Sequence, residues 1–421
     1  MKKLISVENF AMALFLASAV LGYVISIGKL YLFHLVALMM IGLMFSGYLR
    51  IYAQTFLATK ALLLFFAYAV LTLLWAPNFK NGIYVLFYFA NAFFIIFIIV
   101  NFSQTKEKLS FVFKVLAAFF LLNFFIGLLE TTAYFRLPMS PYHGLNFTRP
   151  SGFNSNLNSF GFVFLAIFPF LFLYPQRLAK FISTVLAVWF SFKLESKGFF
   201  LGLVAFFVFY FFWEIKKKST WRWVAVLGFM AFVMLLFTTV LMKDIQLNNS
   251  VFSTFSQIGR GVDLMRSEEI EARDSTGVRS FMYIYGLQEL ASSYGRGTGA
   301  AGIGSKLAID TELFGEDKDL FSFHNFFLEM LIDYGVLPFA IIMFGYFRLI
   351  NKLKKYSAKA NDMLLAYYAK ASALSLLTIL PASISPSSII YVLTFWIVIG
   401  FSIATSNLIS KQSSIFVEDV K

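Results

Sequence analysis

A chain of 421 residues that is 59% hydrophobic and 14% charged, with a mean hydropathy of +0.77, lies outside the composition of soluble globular proteins. Its 56 phenylalanines carry more apolar surface than one soluble core encloses, so lipid is the solvent. The formal net charge of +13 reads as a Lys and Arg excess on the inner side of a membrane rather than as a nucleic-acid surface. The absence of cysteine excludes thiol catalysis, disulfides and thiolate metal sites.

A bilayer-crossing helix needs about 17–25 predominantly apolar residues. Twelve runs are read as spans, at roughly 9–27, 31–49, 59–76, 82–100, 110–130, 157–175, 178–193, 198–213, 223–242, 326–347, 363–381 and 387–408. Phenylalanine-rich runs do not separate helix from strand by periodicity. Length, and the need of lipid-exposed backbone to bond to itself, decide for helix. The seventh run, around Phe181 to Phe192, is short. Lys2 and Lys3 precede an apolar run too long for a signal peptide and followed by no small-residue cleavage site, so it reads as the first span.

With the N-terminus inside, the inner segments hold nineteen Lys and Arg, and the short outer connections hold six: Lys29, Lys80, Arg136, Arg149, Lys193 and Lys197. Long loops translocate regardless of charge and do not enter the count. The expected fold class is an all-α polytopic membrane protein of about 12 transmembrane helices with both termini cytoplasmic. It forms one integral membrane domain over 1–421, with a large outer loop at 243–325 between the ninth and tenth helices.

Two outer loops carry the polar residues. The first, 131–156, contains Arg149-Pro-Ser-Gly152-Phe-Asn-Ser-Asn156, whose Pro, Gly and Asn argue for a tight, non-helical path dipping back towards the bundle. The second, 243–325, carries eight basic residues. Within it Val278, Phe281, Met282, Tyr285 and Leu290 give a helix one apolar side, with Arg279 on its first turn and the membrane surface as its expected bed.

Arg149, Lys197, Arg279 and His324 stand out on the outer face. Arg149 and Lys197 read equally as cations snorkelling to headgroups. They also sit beside Gly152 and Gly198, where backbone approaches a bound group closely, and three cations from separate loops suit a multiply charged anion such as a pyrophosphate without a metal. His324 lies at the N-terminal end of the tenth span, where the helix dipole favours the neutral imidazole that accepts a proton; the plainer reading is a cap at an interface. His34 reads as a satisfied core residue. Glu329 and Asp333, four apart on one helix face, read as structural partners for basic groups. Gly297-Thr-Gly299-Ala-Ala-Gly302 fits the dinucleotide pattern literally but lacks a βαβ unit, and reads as a turn. Asp317-Lys-Asp319 reads as a solvated acidic tip.

Twelve spans and a large outer loop between the ninth and tenth frame Arg149-Pro-Ser-Gly152, Glu195-Ser-Lys197-Gly198, Gly277-Val-Arg279, and Phe323-His324-Asn325-Phe326-Phe-Leu-Glu329 with Tyr334-Gly335. Together these resemble the bacterial O-antigen polymerase and O-antigen ligase superfamily over about 140–400. The resemblance implies a glycosyltransferase of the C-type fold, in the bacterial inner membrane, acting at the periplasmic face on undecaprenyl-pyrophosphate-linked oligosaccharide with neither metal nor cofactor. It implies Arg279 as the main pyrophosphate ligand, His324 as the base that deprotonates the acceptor hydroxyl, and Arg149, Lys197 and Asn325 as substrate-binding residues. Relatives commonly carry arginine where Lys197 stands, and lysine lacks the bidentate fork. Membrane lipids and a polysaccharide chain-length regulator are the other partners implied, with no nucleic acid.

Polymerases and ligases share these motifs. Ser383-Ile-Ser-Pro386-Ser-Ser-Ile-Ile-Tyr followed by Phe395-Trp396 looks more like the polymerases. A ligase passing polysaccharide to lipid A core is the first alternative. A lipid-linked sugar flippase or transporter is the second, although its substrate charges belong near the bilayer midplane on broken helices, and neither feature is visible in the sequence.

Overall fold

A computed structural model describes residues 6–27, 30–133, 135–138, 140–143, 149–194, 196–214, 275–310, 322–359, 362–384, 386 and 389–418. Fourteen α-helices form among them: α1 Val7–Leu21, α2 Leu32–Phe45, α3 Ala53–Leu71, α4 Phe79–Phe102, α5 Lys106–Thr132, α6 Leu157–Phe172, α7 Arg177–Leu194, α8 Lys197–Glu214, α9 Ser275–Ser292, α10 Gly302–Asp310, α11 Phe326–Tyr334, α12 Val336–Lys359, α13 Met363–Ala382 and α14 Leu393–Glu418. A ladder of two residues per strand, Ser26–Ile27 with Leu30–Tyr31, is the one sheet among them. The chain is an all-helical polytopic membrane protein.

Eleven of the twelve expected spans contain a helix, and the ninth, 223–242, lies outside the described residues. Among the described residues, seven helices are long and apolar enough to cross a bilayer: α3 with its extension to Trp75, α4, α5, α8, α12, α13 and α14. Helices α1, α2 and α6 are apolar but shorter, and α7, the short seventh run, is in neither group. Helix α14 runs through the middle of the bundle, with 83% of its span buried, whereas only 11% of α12 is buried and its apolar flank faces lipid. The core is a phenylalanine network joining α4, α5, α6, α13 and α14, in which rings such as Phe124–Phe164 at 4.9 Å and Phe113–Tyr368 at 5.0 Å pack tilted rather than parallel. The hydroxyls of Thr378, Ser402 and Thr405 are buried there and donate to the carbonyls one turn back, so these three sit at helix contacts with their hydroxyls satisfied.

The tenth run does not form one helix. It breaks at Gly335 into the nine-residue α11 and the spanning α12. Gly335 adopts φ +86°, and a Cβ there would lie 2.4 Å from the carbonyl oxygen of Arg296. Backbone of 295–297 fills the space a side chain needs, and Gly295 O accepts from Val336 N at 2.9 Å. Only glycine lets the two strands of backbone meet so closely.

Helices α9, α10 and α11 share a small second core of Met282, Leu290, Ile303, Leu307, Phe323 and Ile332, with Phe281 and Tyr285 packed against it. The apolar side expected of α9 is therefore present, but it is taken up by neighbouring helices instead of lying on the membrane surface. This layer rests on the α3–α4 connection. Asn81 Nδ2 donates to Ser305 Oγ at 3.1 Å, and Gly299 (φ +92°) sits so close that a Cβ would be 2.8 Å from Ala76 Cα. The charge count expects that connection on the outer side.

Candidate functional site

His324 stands between two buried aromatics. Phe323 fills the second core, and Phe326 packs on Phe395 at 5.4 Å and Trp396 at 5.9 Å in the main core. Pinned on both sides, His324 is held at φ +54°, in the left-handed region. For a non-glycine residue that costs about 1–3 kcal/mol, and such residues cluster at functional sites. Its Nδ1 is buried. Asn325 follows as the N-cap of α11, its side-chain oxygen accepting from Leu328 N at 3.2 Å, so the imidazole sits at a helix N-terminus as the sequence suggests.

Arg279 reaches the same corner. It lies on the second turn of α9, not the first, and four residues on is Tyr283, on the same helix face. Tyr283 donates to His324 O at 3.4 Å, packs tilted against Phe323 with ring centroids 5.3 Å apart, and hydrogen-bonds the Asn325 side chain. Burial lowers the Arg279 guanidinium from its ordinary pKa, with the Tyr283 phenol pulling the other way. Burial likewise raises Tyr283, opposed by Arg279 and by the Asn325 bond. A cation short of solvent attracts an anion more strongly than an exposed one. Arg279, Tyr283, His324 and Asn325 thus form one cluster. Tyr283 escaped the sequence reading, although its spacing from Arg279 was a usable signal.

The Arg149 loop is gripped by one face of α5. Asn123, Gly127 and Glu130 lie at helical spacing, and Gly127 leaves room for Pro150 and Phe160. The Asn123 Oδ1 accepts from Phe153 N at 2.7 Å. The fully buried Glu130 carboxylate accepts from Ser151 N, from Ser151 Oγ at 2.8 Å and from Gly152 N at 2.8 Å. Arg136 Nη1 lies 3.1 Å from Glu130 Oε1, and its Nη2 donates to Arg149 O at 2.7 Å. Gly152 at φ +53° passes so near α5 that a Cβ would meet Asn123 Oδ1 at 2.2 Å. The described stretch 149–156 takes the tight inward path expected of this loop. Glu130 was not singled out in the sequence, and Arg136 entered only the charge count.

Lys197 begins α8, after Ser196, whose hydroxyl accepts from Phe199 N at 3.4 Å. Phe199 borders Gly161 in α6, Phe162 of α6 meets Phe395 at 6.1 Å, and Phe395 meets Phe326. Through these rings the Lys197 turn and the His324 corner belong to the same end of the bundle.

Three smaller readings resolve here. The Gly297–Gly302 segment is a turn, and it leads into α10. Asp333 is bound by Thr298 Oγ1 at 3.0 Å and Ile303 N at 2.8 Å, capping α10 instead of facing a basic group. His34 is a core residue, its Nδ1 accepting from Tyr31 N at 3.0 Å. Glu195 and Asp317–Asp319 lie outside the described residues.

Below the His324 corner a cavity of about 670 Å³ opens between α3, α4, α11, α12 and α14. Phe326, Phe327 and Met330 line one end, and Gln104, Lys352 and Lys411 the other.

Comparison with known proteins bears out the family resemblance. Residues 182–343 match the family model described as O-antigen ligase. That stretch holds Lys197, Arg279, His324 and Asn325, and Arg149 precedes it. The teichuronic acid biosynthesis protein TuaE of Bacillus subtilis (strain 168) is 24% identical over 381 residues, covering 85% of this chain and 73% of that protein.

Proposed function

We propose that this relative of the O-antigen ligase family is a membrane enzyme of polysaccharide biosynthesis: a glycosyltransferase that polymerises undecaprenyl-pyrophosphate-linked repeat units at the outer face of the bacterial cytoplasmic membrane, with both termini inside. The anomeric carbon of such a donor already bears a good leaving group. The protein need only neutralise the departing pyrophosphate and take one proton from the attacking hydroxyl. Arg279, with Arg149 and Lys197, is assigned the first task and His324 the second. Attack opposite the leaving group would invert the anomeric centre, and a product anomer matching the donor's would contradict that. The observation that carries the reading is the Arg279–Tyr283–His324–Asn325 cluster, in which a half-buried cation and a strained histidine at a helix N-terminus are tied by one phenol. The apolar cavity starting at Phe326, two residues from His324, gives a lipid-linked donor room for its chain.

The family description, O-antigen ligase, favours a second reading in which the final acceptor is not carried on undecaprenyl pyrophosphate, such as lipid A core. The helix break at Gly335 supplies one feature of the transporter reading that the sequence lacked. Arg279→Ala separates these in cells. An enzyme loses polymer while the lipid-linked repeat accumulates on the outer leaflet, whereas a flippase variant strands it inside. Purified protein that transfers only once lipid A core is added would make it a ligase.

A further inference from the structure

An acid in the last turn of a helix opposes the helix dipole, and burying it costs several kcal/mol unless every lone pair is used. Glu130 stands in the last turn of α5, fully buried, and its carboxylate is met by the Arg136 guanidinium, two successive backbone amides and a hydroxyl. A well-packed apolar pair holds a helix end at least as stably as a buried ion pair. What the ion pair adds is direction. Arg136 is planar and forked: Nη1 engages Glu130 and also donates to Ser151 Oγ at 3.3 Å, which leaves Nη2 to fix the carbonyl of Arg149. Gly152, with no Cβ, lets the next amide reach Asn123. Arg149 therefore leaves a backbone clamped at its own carbonyl and at the three amides of 151–153.

We infer that Glu130 and Arg136 are positioning residues that hold Arg149 for a phosphate-bearing donor, acting through the Arg149 backbone without touching the donor themselves. The inference rests on the proposed function for the identity of the donor, but the clamp itself stands on the geometry. Arg136→Lys tests it, because a lysine keeps the charge opposite Glu130 but has no second arm for Arg149 O.

With purified full-length protein and lipid-linked repeat units, Arg136→Lys is expected to lower kcat/KM for the donor on the order of tenfold. In an Arg149→Ala background the same change is expected to have almost no effect, since a residue acting through Arg149 has nothing left to position. Equal losses in both backgrounds, or no loss in either, would overturn the inference. Should Arg136→Lys unfold, judged by thermal melting, Glu130→Gln serves in its place with the same expectation. Binding of farnesyl pyrophosphate, measured by native mass spectrometry, keeps this test separate from the transferase reading. Binding weakened by Arg136→Lys only when Arg149 is present upholds the clamp even in a protein that forms no polymer. Binding indifferent to Arg136 and Arg149 overturns it.

Discussion

Asp333 shows how a single buried group can make this corner respond to pH. Burial pushes its carboxyl up to about 7, although Ile303 N, Thr298 Oγ1 and Gly302 N hydrogen-bond it and pull downward. An unfolded aspartate titrates near 3.9. The native state therefore holds its proton longer than the unfolded chain, and the stability Asp333 confers is full below about 4 and lost as pH rises through about 7. The thermal midpoint of the purified protein is expected to fall between pH 5 and 8. Asp333→Asn keeps an oxygen for Ile303 N and Thr298 and is expected to flatten that slope; an unchanged slope would remove Asp333 as its cause. His324 differs in kind, because its value lies in a strained backbone fixed by Phe323 and Phe326. His324 and Arg279 were visible in the sequence as charged or titratable residues in a polar loop of a greasy chain. Glu130 was not, because its partners 136 and 149–152 are near only once α5 has brought its last turn beside the returning loop.

At the scale of elements, the helix break and the docking of the loop layer determine the corner. The run from 326 to 347 is apolar but for Glu329 and Asp333, so length and hydropathy gave no reason to end a helix at Gly335, and the one local signal was Gly335 itself with Pro338 three residues on. The reason lies in tertiary structure: backbone of 295–297 occupies the place of a side chain. Gly335→Ala must strain a positive φ and displace that backbone, costing about 1–3 kcal/mol or more, read as a lowered thermal midpoint together with reduced transfer. A midpoint equal to wild type would mean the break does not depend on that contact. The same tertiary contacts explain why α9 leaves the membrane surface, since Met282 and Leu290 find Ile303, Leu307 and Ile332 as partners. The lack of native cysteine makes the docking testable. Asn81→Cys with Ser305→Cys replaces two side chains in hydrogen-bond contact and is expected to cross-link on mild oxidation. Failure to cross-link in folded protein would mean that α10 does not rest on α4.

Over the whole molecule, helices spanning lipid were legible because the bilayer fixes their length and their need for internal hydrogen bonds. Their lengths were less so: α1, α2 and α6 are shorter than the apolar runs they fall on. The bundle buries α14 at its centre, leaves α12 against lipid, and sets Arg279, His324 and the clamped Arg149 loop at one end above an apolar cavity. That division of a charged end and a greasy flank suits a substrate with a phosphate head and a hydrocarbon tail. The most direct measurement is a polymerisation assay of the purified protein with lipid-linked repeat units as both donor and acceptor, run beside His324→Ala and resolved on a gel. A ladder from the intact protein that disappears in the variant is the predicted result. A ladder of equal length and yield from His324→Ala would contradict the account at its centre.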